Sequence, residues 1–540
     1  MKKLLLISLL LSYTSSIQAQ SLNINTTRFV GGDSSCGVSQ ARYSIYTRDD
    51  GILFVGLTDC FVGGGNIPAS PSDASAESAP SNVLIGKLDS NMNVSWVKVY
   101  GGSWQDVAVS AVQTIDGGYA VLAYTKSNNR DISGNHGSGD LWLVRIDSVG
   151  NLLWQKCYGS SYDEQPGAIA LTPDNGFIMY GISNGSGGEV PTHYGTEFNY
   201  NWFVVKTDSI GNMQWSKTIG GTGYGTDGSG EQPWGSIFYA DNGYYFVSST
   251  NSTDYDCTDT FWHPGVNTSY DYYMFKLDTA GNILWDSSYG GGGSDIAYQA
   301  IWDSRDSSIV INGSTTSDNY MITGNHGESD MGVMKIDKNG VYKWAKCLGS
   351  PNNESGNSIC CTSFGYIAYG ATSPGSIGET DCRLFSLNTL GDTLYNLQFG
   401  GTGYDDPFSI IPFKNGFAAT GGSGSPGFTE GINIGPLVEA EGDAFVSYIN
   451  YFPLAIQNVV IGNQQIIVYP NPSNSILRIT LPNQAGSLTV INCVGQNIYY
   501  ETIKQKETIN INIASWASGI YIAKWQSADG TVLTKKFIKT

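Results

Sequence analysis

The side chains best suited to chemistry stand just after a recurring Tyr-Gly-Gly or Gly-Gly. Trp104 and Asp106, Tyr224, Glu231 and Trp234, Asp295, and Tyr404 with Asp405 and Asp406 fall in such stretches, and Tyr162 with Asp163 and Glu164 follows the related Tyr-Gly-Ser. Aromatic rings beside carboxylates suit a sugar ligand, because a ring face stacks on the apolar face of a pyranose while a carboxylate accepts hydroxyl protons. Trp104, Asp106, Tyr162, Asp163, Tyr224, Trp234, Asp295, Tyr404 and Asp405 therefore form the candidate ligand-binding set. The competing reading is that the acids cap turns and the aromatics pack between structural units. Two carboxylates roughly 5 or 6.5–9.5 Å apart, one with a raised pKa, could hydrolyse a glycoside. Spacing along the chain gives no such separation, and no catalytic residue is assigned. HExxH, P-loop and EF-hand patterns are absent. "GGTGYGTDGSG" at 220–230 opens no helix and reads as a loop.

His136, His193, His263 and His326 each precede an apolar run, as "NHG", "THYG", "WHPG" and "NHG". A ring of imidazoles around one metal would need them to converge, yet each belongs to a different repeat. Local hydrogen bonds to Asp140, Asp271 and Asp330 are the simpler role. No metal or cofactor is expected. The nine cysteines are an odd number without a CxxC pair of metal-site spacing. Cys36 with Cys60 and Cys361 with Cys382 are the candidate disulfides, while Cys157 and Cys347 occupy equivalent places in different repeats and stay apart.

The elements that must position these residues repeat. "DLWLVRIDSVGNLLWQKCYGSS" at 140–161 recurs at "NWFVVKTDSIGNMQWSKTIGGT", "DYYMFKLDTAGNILWDSSYGGG" and "DMGVMKIDKNGVYKWAKCLGSP". The final aromatics, Trp96, Trp154, Trp215, Trp285, Trp344 and Tyr395, stand 51 to 70 residues apart. Each unit reads as four antiparallel strands. Gly150, Gly211, Gly281 and Gly340 sit where a short hairpin needs a left-handed residue. The third strands, such as "LWLVR" and "WFVVK", are apolar at consecutive positions. Both sheet faces are then buried, which a two-layer sandwich with one wet face does not require. Small sheets packed on both sides make a β-propeller. Counting third strands to "DAFVSYIN" predicts seven blades, the last completed by "INTTRFVGG" near the N-terminus. Lys98, Lys156 and Lys217 would guard outer edges against pairing. The small, polar insert at 63–80 reads as a mobile excursion of the first blade.

"MKKLLLISLLLSYTSSIQAQ" has the charged start, short apolar core and small residue of an export leader, too short for a membrane span. No later run reaches a spanning length, so the mature chain is expected to lack a transmembrane segment. A net charge of −19 argues against nucleic acid or anionic membrane as a partner. The expected division is a leader at 1–19, a propeller at 20–451, a linker at 452–465 and a small β-sandwich at 466–540.

That last segment, "IIVYPNPSNSILRITLP" to "GTVLTKKFIKT", resembles the C-terminal sorting domain of the type IX (Por) secretion system of Bacteroidetes. Tyr469, Pro470, Asn471 and Pro472 match its opening motif. Gly519, Tyr521, Gly530 and Lys536 match its Gly-x-Tyr, turn glycine and terminal lysine. The resemblance implies passage to the secreted or outer cell-surface location through the type IX machinery, with the tail commonly removed. The repeats also look like uncharacterised propellers that precede such tails. The resulting expectation is an all-β chain, a seven-bladed propeller followed by a small sandwich. It would bind an extracellular glycan or protein without catalysis. The alternatives are a carbohydrate-active enzyme using the mouth carboxylates and a passive adhesin.

Overall fold

The third strands carry the fold. In Asp140–Ile146, Asn201–Thr207 and Asp271–Leu277 every residue is buried, although successive side chains point to opposite faces. A computed structural model describes residues 20–31, 38–60, 63–69, 81–223, 230–257, 269–374, 378–425, 442–453, 466–469, 473–481, 485–492, 497–504, 508–517, 519–527 and 532–539. The leader at 1–19, residues 70–80 of the insert, Cys36, Tyr224, His263, linker residues 454–465, Pro470, Asn471, Pro472, Cys493 and Gly530 lie outside them. Leu22–Tyr451 form one compact unit, and the residues from Phe452 onward belong to a second.

Among the described residues, the first unit holds seven four-stranded antiparallel sheets. Six are consecutive meanders, from Ser39–Tyr46, Ile52–Thr58, Asn82–Leu88 and Val94–Tyr100 onward. The seventh takes three strands from the end of the unit, and its outermost strand is Gln20–Val30, paired to Asp443–Pro453. Apolar clusters fill every gap between successive sheets. Leu53, Val83 and Trp142 join the first sheet to the second, and Phe413 and Val446 with Phe54 and Leu84 join the seventh to the first. Repeated four-stranded sheets packed on both faces make this unit a β-propeller. Burying one Leu, Val or Phe in such a gap contributes about 1.5–3 kcal/mol, so each interface is worth far more than any single contact within it.

The recurring Trp has a specific task. Gly150, Gly211, Gly281 and Gly391 adopt φ of +84°, +78°, +84° and +82° in the hairpins between third and fourth strands. Each sits over the outer-strand tryptophan of the preceding sheet, where a Cβ would come 3.0, 2.8, 3.1 and 2.7 Å from Trp96, Trp154, Trp215 and Trp344. Tyr158 Oη donates to Gly211 O at 2.5 Å and Tyr289 Oη to Gly340 O at 2.7 Å, pinning neighbouring sheets at the same place. The outer-strand lysines join them: Lys156 Nζ donates to Asn212 Oδ1 at 2.8 Å and Lys98 Nζ to Asn151 Oδ1 at 3.5 Å. They tie sheets together, beyond the edge protection the sequence suggests.

Cys361 and Cys382 are both free thiols, against the expected disulfide. They pair with opposite ends of the strand between them, Cys361 with Tyr366 and Cys382 with Ala371, which keeps the sulfurs apart. Cys157 and Cys347 are free, and Cys60 is disulfide-bonded.

The second unit packs a three-stranded sheet and a four-stranded sheet around Leu477, Leu488, Trp525 and Phe537. Tyr521 is buried, stacked on Phe537 at 5.6 Å, with its hydroxyl donating to Ala517 O at 2.8 Å. Tyr469 and Lys536 are exposed.

Candidate functional site

Three of the candidate acids turn inward. Asp106, Asp295 and Asp405 open the innermost strands of their sheets and are fully buried. Asp106 accepts from Thr125 Oγ1 (2.5 Å), Gly102 N (2.7 Å) and Ser127 Oγ (3.0 Å). Asp295 and Asp405 repeat the pattern with Thr315, Ser317 and Gly291, and with Ser423, Ser425 and Gly401. Glu164, Glu231 and Glu354 hold the same place in other sheets, bonded to Ser183, Ser252 and Thr372. Polar groups buried this way must be paired, and these are. Their bonds tie the glycine loop to two strands of one sheet.

A second buried polar residue meets each of these acids across the gap between sheets. It opens the third strand of the preceding sheet: Asn82, Asp140, Asn201, Asp271, Asp330 and Asp381. The loop glycine lies between the two. A methyl at Gly290 would stand 2.1 Å from Asp271 Oδ1 and 2.7 Å from Asp295 Oδ2, and Gly349 is held likewise between Asp330 and Glu354. Burial pushes Asp106 and Asp295 up to about 6 and Glu231 up to about 7. For Asp271, burial and then repulsion from Asp295 raise the pKa to about 8.

The histidines act locally. His136 Nδ1 and His326 Nδ1 lie 2.6 Å from Asp140 Oδ2 and Asp330 Oδ2, and His193 Nε2 donates to Asn199 O at 2.8 Å. Burial lowers the pKa of His136, but Asp140 and Glu189, the latter 3.7 Å from Nε2, raise it further. No group of three metal-ligating side chains gathers among the described residues. Asp163 accepts from Tyr124 Oη and from Gln165 Nε2 at 3.0 Å, a local contact. Trp104, Tyr162 and Tyr404 are exposed on the loops, and none is among the described residues lining the central cavity.

The cavity that the fold does build is central. It measures about 720 Å³ and is lined by residues from the innermost segments of all seven sheets. Six of those strands carry a β-bulge after the second residue beyond the strand-opening position, as between Ala297 and Gln299 or between Pro407 and Ser409. A bulge re-aims the extra side chain. Arg42, Val109, Gly167, Trp234, Tyr298, Asn357 and Phe408 all line the cavity, each three residues after Ser39, Asp106, Glu164, Glu231, Asp295, Glu354 or Asp405. They form a ring inside the mouth on the glycine-loop side. Trp234 is 48% exposed and packs against Tyr298 with centroids 5.5 Å apart. Arg42 stands 5.7 Å from the Phe408 ring centroid and donates through Nε to Gln40 Oε1 at 3.0 Å. Burial lowers its pKa, while Asp406 and Asp59 partly offset that. Of the described members of the candidate set, only Trp234 reaches this ring. The constant three-residue offset from the strand-opening position was the available signal for the others.

Comparison with known proteins bears mainly on the tail. Residues 467–540 match the family described as the secretion system C-terminal sorting domain. This chain ends in a type IX sorting domain. That domain marks proteins secreted by the type IX system to the cell surface or the extracellular space, which places this chain there and implies contact with the secretion machinery. No curated protein matches the chain. Solved structures that the chain matches include PorZ of Porphyromonas gingivalis, described as a surface component of the type IX system (9% identity, 95% of this chain, 100% of that one, TM-score 0.18). A protein of unknown function from Bacteroides caccae has 9% identity over 58% of this chain and 89% of its own, TM-score 0.33. A subtype N10 neuraminidase-like protein of a little yellow-shouldered bat isolate from Guatemala has 8% identity over 80% and 100%, TM-score 0.33.

Proposed function

We propose that this surface-delivered propeller is a non-catalytic binding module that takes a glycan or protein ligand at the mouth of its central cavity. The observation that carries this reading is the ring of side chains that line the cavity at a constant offset in every sheet, within a volume typical of ligand sites. The acids a glycosidase reading would enlist, Asp106, Glu164, Glu231, Asp295 and Asp405, are already bonded inside the sheets. Export begins in this reading with the leader at 1–19 and ends with the sorting tail. The test is to probe a glycan array and a peptide display library with the secreted chain and with Trp234→Ala. Selective ligands lost in the variant support the reading. Ligands that bind both proteins equally, or no ligand at all, defeat it.

A further inference from the structure

Resting on that reading, we propose that the cavity mouth is a site for an uncharged oligosaccharide, stacked on the Trp234–Tyr298 shelf and hydrogen-bonded from the opposite wall by Arg42. The two walls oppose each other by construction. Trp234 and Tyr298 come from the fourth and fifth sheets, and Arg42 and Phe408 from the first and seventh, on the other side of the ring. Aromatic groups therefore face the cavity from both sides, Trp234 with nearly half its surface uncovered.

Charge selects among ligands that like aromatic surfaces. Arg42 is the single charged side chain among the described cavity-lining residues. Asp406 and Asp59 also interact with its charge and so compete with a uronate or sulfate for it. The chain as a whole, at −19, repels polyanions as well. A pure hydrocarbon ligand fits poorly for the converse reason, since it would strip water from the guanidinium and from the Asn357 amide without replacing their hydrogen bonds. A neutral sugar offers both an apolar C–H face for the rings and hydroxyl oxygens for these donors. A cavity of about 720 Å³ suits a ligand of several sugar units.

The experiment is calorimetric titration of the full-length secreted protein with cellotetraose, laminaritetraose, xylotetraose and mannotetraose, and with tetragalacturonate as the charged counterpart. At least one neutral tetrasaccharide should bind. Trp234→Ala and Tyr298→Ala should each weaken it about tenfold or more, while Trp234→Phe, which keeps a ring, should retain most of the affinity. Tetragalacturonate should bind more weakly than its neutral counterparts. Thermal unfolding of each variant checks that the fold persists. Tight tetragalacturonate binding, or neutral binding indifferent to both alanine variants, overturns the proposal. If no sugar binds but a displayed peptide does so in a Trp234-dependent way, the glycan assignment falls and the binding-module reading survives. If the cavity variants alter no interaction of any kind, both fall.

Discussion

Gly290 shows how tightly single positions are constrained. Its Cα passes between two buried carboxylates, and a methyl group would approach Asp271 Oδ1 to 2.1 Å. The carboxylates cannot retreat, because Asp295 is held by Thr315, Ser317 and the Gly291 amide. Gly290→Ala should destabilise the protein by about 2–3 kcal/mol, visible as a lowered thermal midpoint. Gly134→Ala is the contrast at the same kind of residue: nothing lies within 4 Å of its Cβ position, although φ is +90°. It should cost only about 1 kcal/mol of backbone strain. A Gly290 variant as stable as the Gly134 one would refute this account of the junction.

Between elements, the paired acids make the junctions sensitive to alkali. A carboxyl whose folded pKa lies above its unfolded value near ~4 contributes stability in full below that value and loses it as pH rises through the folded pKa. With Asp271 at about 8 and Asp295 at about 6, their junction should weaken progressively from about pH 4 to about pH 8. Asn82 and Asn201 already occupy the Asp271 position at two other junctions, so an amide fits there. Asp271→Asn should raise the thermal midpoint by several degrees at pH 8.5 and leave it nearly unchanged at pH 4. An equal shift at both pH values would show that the group does not titrate in this range.

Much at this scale was legible beforehand. The unbroken apolar run "LWLVR" could only be a strand covered on both faces, and the glycine of "SVGN" could only be a left-handed hairpin residue. The burial of Asp106 and Asp405 was not legible, because an acid after two glycines resembles an exposed loop cap. Only register reveals that Asp106 lies opposite Thr125 of the neighbouring strand and is buried there. Bulges escaped for a related reason. They slip the alternation by one residue within a strand of eight or nine, a break that shows only when strands are paired, so Arg42, Tyr298 and Phe408 carried no mark of their own beyond their constant offset.

For the whole molecule, both chain ends have assignments that truncation can separate. Removing residues 20–31 strips the outermost strand from the seventh sheet and bares the edge of Asp443–Pro453. The shortened protein should melt earlier and form oligomers in size-exclusion chromatography, since an unpaired edge invites another chain. Removing 467–540 should leave the propeller folded but halt it in the periplasm, as cell fractionation would show. Surface display without the tail would refute the sorting assignment.

The pairing of Thr27 with Ser447 spans 420 positions, the hydroxyls meeting at 2.8 Å. Closing so long a loop is slow, though each doubling of its length adds only about 0.6 kcal/mol. The latch therefore engages after every intervening repeat has been delivered. A molecule interrupted in transit would be an incomplete arc with two sticky rims, so premature arrest, more than any local unfolding, is the hazard this architecture creates for the cell that makes it.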